Sequence, residues 1–214
     1  MKNALLEVIT QKVIEEIKSN NFNSIKKQVR IGVSARHIHI SKEHLDILFG
    51  EGYELTIRKM LMGEQFAAEE TVTILGSKMK AIEKVRILGP LRKATQVEIS
   101  VTDSVFLGIN APIRLSGDIK NSAPVTIIGP KGAIRIEEGC IIAKRHIHMH
   151  PTDSKKFGID EGIVSVRVNG DRAGILENVD VRVRDDFNFE MHIDIDEANA
   201  LGIKNGQMVE ILGD

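Results

Sequence analysis

Two histidines separated by one residue occur twice in this chain in the same dress, as Arg36-His37-Ile38-His39 and as Arg145-His146-Ile147-His148, and these account for four of its seven histidines. Side chains alternate across an extended strand, so residues i and i+2 share a face, and two imidazoles on one face can chelate a metal ion. A single His-x-His is a weak signal. Two copies with identical neighbours, each following a short apolar run, are hard to attribute to chance.

A third ligand emerges when the downstream segments are compared. Gln96-Val97-Glu98-Ile99-Ser100 follows the first copy and Glu190-Met191-His192-Ile193-Asp194 follows the second, with Glu98 and His192 on the same column. Both segments lead toward a short helix that ends at Gly-Ile, and both follow a β-branched run, Val85-Arg86-Ile87 or Val179-Asp180-Val181. The chain therefore reads as internally duplicated. The expected ligand sets are His37, His39 and Glu98 in one half and His146, His148 and His192 in the other. Three protein ligands leave a tetrahedral zinc one open position, which marks a catalytic rather than a structural site. Zinc is the expected metal, although nitrogen and oxygen donors also admit cobalt, nickel or iron.

The elements that must position these residues are mostly short strands. β-Branched runs at Val29–Val33, Thr71–Leu75, Val85–Leu88, Val97–Val101, Val125–Ile128, Ile163–Val168, Val179–Val183 and Met208–Leu212 are separated by glycines. That spacing predicts barrels or sandwiches rather than alternating βα units. Short helices are predicted at Ser41–Phe49, Thr102–Leu107, Thr152–Phe157 and Asp196–Leu201, each opening on an N-cap type of residue and closing near Gly. The expected fold is mainly β, two related β-barrels with short helices. The two ligand sets would meet at the junction of the halves, a common place for a small-molecule cleft. Ahead of the barrels, Leu5, Leu6, Ile9, Val13, Ile14 and Ile17 recur at helical spacing, which predicts an amphipathic helix that caps the domain or docks on a partner.

Composition excludes several classes. The chain has 214 residues, 29 Lys plus Arg against 30 Asp plus Glu, one Tyr and no Trp. No global basic field steers it to nucleic acid or an anionic membrane, and no aromatic-studded basic stripe suits single strands. An anionic substrate must then be held by a local cluster of cations. The lone Cys140 has no disulfide partner within the chain, and neither a signal peptide nor a long apolar span is seen, so an intracellular protein is expected. Cys140 lies in the apolar run Cys140-Ile141-Ile142-Ala143 and reads as a core residue rather than a nucleophile.

Arg92 follows Gly89-Pro90-Leu91 at a turn just before the Glu98 strand, where a guanidinium can clamp phosphate or carboxylate bidentately. The turn Ala111–Asp118 is a second candidate oxyanion holder. His44 and His150, at helix starts without partner columns, read as surface or capping residues. No Ser-His or Cys-His nucleophile pair is evident, which predicts chemistry without a covalent enzyme intermediate.

Arg36–His39, Leu88-Gly89-Pro90-Leu91-Arg92, Thr95–Ser100, Arg145–Met149 and His192-Ile193-Asp194-Ile195-Asp196-Glu197-Ala198-Asn199-Ala200 together resemble the signature segments of phosphate propanoyltransferase, the phosphotransacylase of bacterial microcompartments. The resemblance spans essentially the whole chain after about Val29, with one departure, Ile195 where that family often has Thr. It implies an acyltransferase that interconverts propanoyl-CoA or acetyl-CoA plus phosphate with acyl phosphate plus CoA. Two zinc ions would be held by the two sets named above, phosphate by Arg92, and CoA by Ser34, Lys59, Arg86, Leu88 and Asn199. The implied domains are residues 1–24 as the helical extension, 25–35 plus 144–214 as one barrel, and 36–143 as the other. Residues 2–18 resemble the extension that targets such enzymes to a microcompartment lumen, where they serve propanediol degradation. The implied partners are acyl-CoA, phosphate, shell or lumen proteins and further copies of the chain, with no nucleic acid and no membrane.

Two other readings compete. His37-x-His39 followed by Glu43 approximates a cupin-type mononuclear metalloenzyme, but Thr152 stands in the column of Glu43 at the second copy, and Glu43 falls in a predicted helix. A metal-stabilised interaction module, recruited by its leading helix, is the non-enzymatic alternative; open three-ligand sites suit catalysis better.

Overall fold

A computed structural model describes residues 10–12 and 27–212; residues 10–12 are helical. The rest of the amphipathic helix expected over residues 2–18 lies outside the described residues. Strands and helices are numbered here in chain order. Among the described residues, no helix is long and apolar enough to cross a membrane.

The fold is two six-stranded barrels. The central barrel is formed by β2 (His37–His39), β4 (Phe66–Leu75), β5 (Ala81–Gly89), β6 (Gln96–Ile99), β8 (Ala123–Ile128) and β9 (Ala133–Ala143), closed in the order β4-β5-β2-β6-β9-β8 by the β8–β4 pairing. Two short strands lie on its flanks, β3 (Ile57–Met60) on β4 and β7 (Ile113–Arg114) on β9. The split barrel joins β1 (Gln28–Ser34) to β10 (His146–Met149), β11 (Gly162–Val168), β12 (Gly174–Val183), β13 (Glu190–Asp194) and β14 (Met208–Leu212). Closure leaves no long unpaired edge in either unit.

The barrels repeat one another in register. β2 runs parallel to β5 and antiparallel to β6, just as β10 runs parallel to β12 and antiparallel to β13. β9 lies parallel to β6 where β1 lies parallel to β13. The first described strand, β1, thus completes the barrel made by the last third of the chain, pairing with β13 and β14.

Each barrel has its own core. Ile38, Ile87, Val97 and Cys140 pack in one, and Ile31, Ile147, Val181 and Met191 in the other. Alternation is clear in β8, where Ala123, Val125 and Ile127 are buried and Pro124 and Ile128 exposed, the pattern a half-buried strand requires.

Four short helices follow: α1 (Lys42–Phe49), α2 (Val101–Leu107), α3 (Pro151–Phe157) and α4 (Ile195–Leu201). α2 and α4 open with capping boxes, Ser100 with Asp103 and Asp194 with Glu197, and both close on a left-handed Gly, Gly108 or Gly202. The expected strand through Val101 is corrected by this cap. Ser100 binds the Asp103 amide, so the chain turns helical at Val101. Strand β9 was not among the expected strands: Arg135, Glu137 and Glu138 break its apolar pattern ahead of Gly139, at φ 132°, and only the apolar run Cys140–Ala143 stood out.

Candidate active site between the barrels

The central isoleucine of each His-Ile-His, Ile38 or Ile147, is fully buried in its barrel core, so alternation puts the flanking histidines on the outer walls. Yet His37, His39, His146 and His148 are all buried. The two walls face each other across one cavity of about 940 Å³, whose lining includes His37, His39, Glu98, His146, His148 and His192.

The column that pairs Glu98 with His192 is a ladder position. Glu98 stands opposite His37 in β2–β6, and His192 stands opposite His146 in β10–β13. In the central barrel, the donor atoms of His37, His39 and Glu98 lie within 4.8 Å of one another, the one such group of three among the described residues. His37 Nε2 is 3.4 Å from Glu98 Oε2, and His39 Nε2 is 3.9 Å from Oε1. In the split barrel, ring centroids are separated by 4.6 Å for His146–His148, 5.3 Å for His146–His192 and 4.9 Å for His148–His192. His148 Nδ1 and His192 Nε2 are buried without a hydrogen-bond partner among the described residues. His192 Nε2 does approach Glu190 Oε2 at 3.4 Å, but without hydrogen-bond alignment.

The second ring nitrogens are held alike in the two halves. His37 Nδ1 donates to the Ala35 carbonyl and His146 Nδ1 to the Lys144 carbonyl, both at 2.9 Å, which leaves Nε2 of each ring directed at the cavity. Burial pushes His39 down to about 3 and His146 to about 4, and burial with neighbouring imidazoles lowers His148 to about 2. Those rings are neutral at physiological pH, the form that binds metal. Burial also acts against charge on His37 and Glu98. Their mutual attraction and hydrogen bond outweigh it, raising the imidazole and holding the carboxyl well below the usual range. Both clusters line the same cavity, and the Glu98 charge is felt by His146 as well.

The His37, His39 and Glu98 donor set therefore fits a divalent metal ion. Imidazole and carboxylate oxygen suit zinc, and two orphaned buried nitrogens are what a ligand set looks like when only protein is counted.

Arg92 lies in the turn that follows the cis Gly89-Pro90 bond. Its amide donates to the Ile40 carbonyl at 2.9 Å and its Nη1 to Ser116 Oγ at 3.1 Å, so both backbone and guanidinium are braced at the cavity wall. Ser116 belongs to the polar turn singled out in the sequence. Gln96 was missed there: its Nε2 donates to Glu98 Oε1 at 2.6 Å and to Ser116 Oγ at 2.9 Å, linking the carboxylate to the Arg92 brace. Its spacing of two residues from Glu98 on one strand was the available signal.

Of the other sequence candidates, Ser34, Lys59, Arg86 and Leu88 line the same cavity. Asn199 is an exposed residue of α4 outside that lining, and its carbonyl accepts from Arg172. Ser34 Oγ lies 3.5 Å from His37 Nδ1, a serine–histidine approach that the sequence did not reveal. That nitrogen already carries a proton toward the Ala35 carbonyl, so it cannot act as a base on the hydroxyl. His150 caps α3 by accepting from the Thr152 amide. His44 is not a surface or capping residue but half-buried, its Nδ1 2.7 Å from Thr95 Oγ1. Glu43, which a cupin-type site would need beside His37 and His39, is exposed on α1. The motif arginines turn away from the rings: Arg36 Nε binds Asp103 at 2.7 Å and Arg145 Nε lies 3.3 Å from Glu197, each the third helical residue of a capping-box helix.

Although the chain is nearly neutral, eight Lys and Arg side chains against four carboxylates line the cavity, a field suited to anionic substrates. Fold and site define a duplicated double-barrel protein with a histidine-rich, anion-attracting cleft between its halves. A model of the family described as phosphate propanoyltransferase matches residues 30–204. Proteins of that name are 54% identical over 213 residues in Lachnoclostridium phytofermentans, covering 99% of this chain and 100% of theirs, and 49% identical over 185 residues in Thermotoga maritima, covering 85% and 88%. A third, from Listeria monocytogenes, is 45% identical over 208 residues, covering 96% of each chain. This chain belongs to the phosphate propanoyltransferase family, and its enzyme class is that of a phosphate acyltransferase.

Proposed function

We propose that this enzyme transfers an acyl group, propanoyl or acetyl, between CoA and inorganic phosphate at a site holding two zinc ions. One ion would be bound by His37, His39 and Glu98, the other by His146, His148 and His192. The observation that carries this reading is the single cavity that holds both trios beside a braced arginine.

Arg92 holds phosphate, and the Ser116 contact fixes the guanidinium plane for bidentate contact. Positioning a weak nucleophile against a thioester contributes several kcal/mol of barrier lowering through proximity, about 7 at the lower end of the well-oriented range. A phosphate oxygen forms a bond to the thioester carbonyl carbon, the carbon–sulfur bond breaks, and CoA departs as thiolate. Bound zinc would act as a Lewis acid toward the carbonyl oxygen or the departing sulfur. Neither Cys140, buried within the central barrel, nor Ser34, which lacks a free base, is suited to carry the acyl group. Transfer is therefore direct, within a ternary complex.

Ser34, Lys59, Arg86 and Leu88 suit a CoA-binding wall because they share the cavity lining, and the resemblance adds Asn199. The two barrels, residues 25–35 plus 144–214 and residues 36–143, are proposed as the domains. The leading helix of residues 2–18, within the segment 1–24, is proposed to direct the chain into a bacterial microcompartment, where it works as a homo-oligomer among lumen or shell proteins.

Release of CoA thiol from propanoyl-CoA and from acetyl-CoA tests the reaction, with and without phosphate and with and without a chelator. Thiol appears only with phosphate and metal. Release at the same rate without phosphate makes the chain a thioesterase instead. Arg92→Ala raises the phosphate requirement while both metals remain.

A further inference from the structure

Strand β12 reads Val179-Asp180-Val181-Arg182-Val183-Arg184. Val179 and Val181 lie in the core of the split barrel, so Asp180, Arg182 and Arg184 face outward. Arg182 is the ladder partner of His148, and paired residues of neighbouring strands share a face, so its guanidinium stands beside the His148 ring on the cleft wall.

Four of the eight cations lining the cavity are committed within the protein. Lys144 pairs with Asp180, Arg36 with Asp103 and Arg30 with Glu190, while Arg86 donates to the Ala68 and Glu69 carbonyls. Arg182 has no carboxylate and no hydrogen-bond acceptor among the described residues. It lies 5.7 Å from the ring centroid of Phe187, whose ring is in turn 4.0 Å from that of His148. This cation–π contact holds the guanidinium without neutralising its charge. The other barrel has Leu88 at the equivalent ladder position, so barrel architecture does not demand an arginine there. Arg92 of the central barrel, itself partly buried, feels the positive charge of Arg182. Two guanidiniums, one from each barrel, thus line the same cavity. Glu98, whose charge Arg92 also feels, is already engaged by His37 and Gln96. A half-buried like-charged pair of this kind is stabilised by a dianion between its members.

We propose that Arg182 is a second phosphate-binding residue of the transfer site, gripping the transferred phosphate from the split barrel while Arg92 grips it from the central barrel. The proposal rests on the phosphate transfer reading above. It makes the substrate itself the bridge between the two halves, with one guanidinium from each.

Steady-state kinetics of Arg182→Gln in the zinc-loaded enzyme test it. The KM for phosphate rises about 10- to 100-fold, the loss expected for one charge-assisted contact, while the KM for acyl-CoA, zinc content and melting temperature stay at wild-type values. An unchanged phosphate KM overturns the proposal. So does a rise confined to the KM for acyl-CoA, because the guanidinium then serves the phosphates of CoA. If Arg182→Gln fails to fold or loses zinc, Arg182→Lys decides. A point charge replaces the bidentate fork, so the phosphate KM still rises several-fold if the proposal holds and stays at the wild-type value if Arg182 only packs on Phe187. Calorimetric titration of the zinc-loaded protein with inorganic phosphate separates this proposal from the reaction assignment. Weaker phosphate binding by Arg182→Gln supports the anion site even if wild-type enzyme shows no phosphate-dependent thiol release.

Discussion

Gln96 Nε2 donates to Glu98 Oε1 at 2.6 Å, so one carboxylate oxygen is restrained while the other faces His37 Nε2 at 3.4 Å. The Gln96 amide is fixed in turn, since its Oε1 accepts from the Gly117 amide at 2.8 Å and its Nε2 also reaches Ser116. An outer contact of this kind orients a ligand and tunes its affinity. Gln96→Ala is expected to weaken metal binding at the central-barrel trio by about 10- to 100-fold and to leave the split-barrel trio unaffected. Competition with a chelator of known affinity, read as one weakened ion of two, measures this.

The repeated motif arginines serve the fold. Arg36 reaches Asp103, a buried carboxylate that also caps α2 by accepting from the Ser100 amide. Arg36→Ala removes a charge-assisted hydrogen bond whose arginine is 42% exposed, so the expected loss is about 1–2 kcal/mol of stability. Denaturant unfolding should show that loss while zinc content stays at the wild-type value.

Cys140 lies at the centre of the central barrel, and burial, with a smaller contribution from the Asp103 charge, pushes its thiol up to about 12. The thiol is ordinary only in the unfolded chain, where it ionises near 9.0. Its contribution to stability is present below pH 9 and is lost as pH rises from there toward the folded value. Native protein at pH 8 should therefore resist alkylation of Cys140, with one equivalent of label entering only on unfolding.

Much of this architecture was legible because duplication leaves the same ladder twice. Glu98 and His192 shared a column in the sequence, and that column is the residue opposite the first histidine of each motif. Helix ends were legible from caps, since Ser100 and Asp194 bind the third helical amide of their helices. What escaped was contact made by tertiary proximity. Ser116 meets Arg92 and Gln96 from a turn about twenty residues away, and no local pattern announces it. Arg182 was readable as an outward position on an alternating strand, but its lack of a partner is visible only when the cleft is assembled.

The account depends on two three-residue sets that each hold a cation at one cleft. Elemental analysis of the purified chain, alongside Glu98→Ala and His148→Ala, measures this directly. Two zinc ions per wild-type chain, with each variant losing one and the double variant both, is the predicted result. A single ion in the wild type, or no loss in either variant, would contradict it.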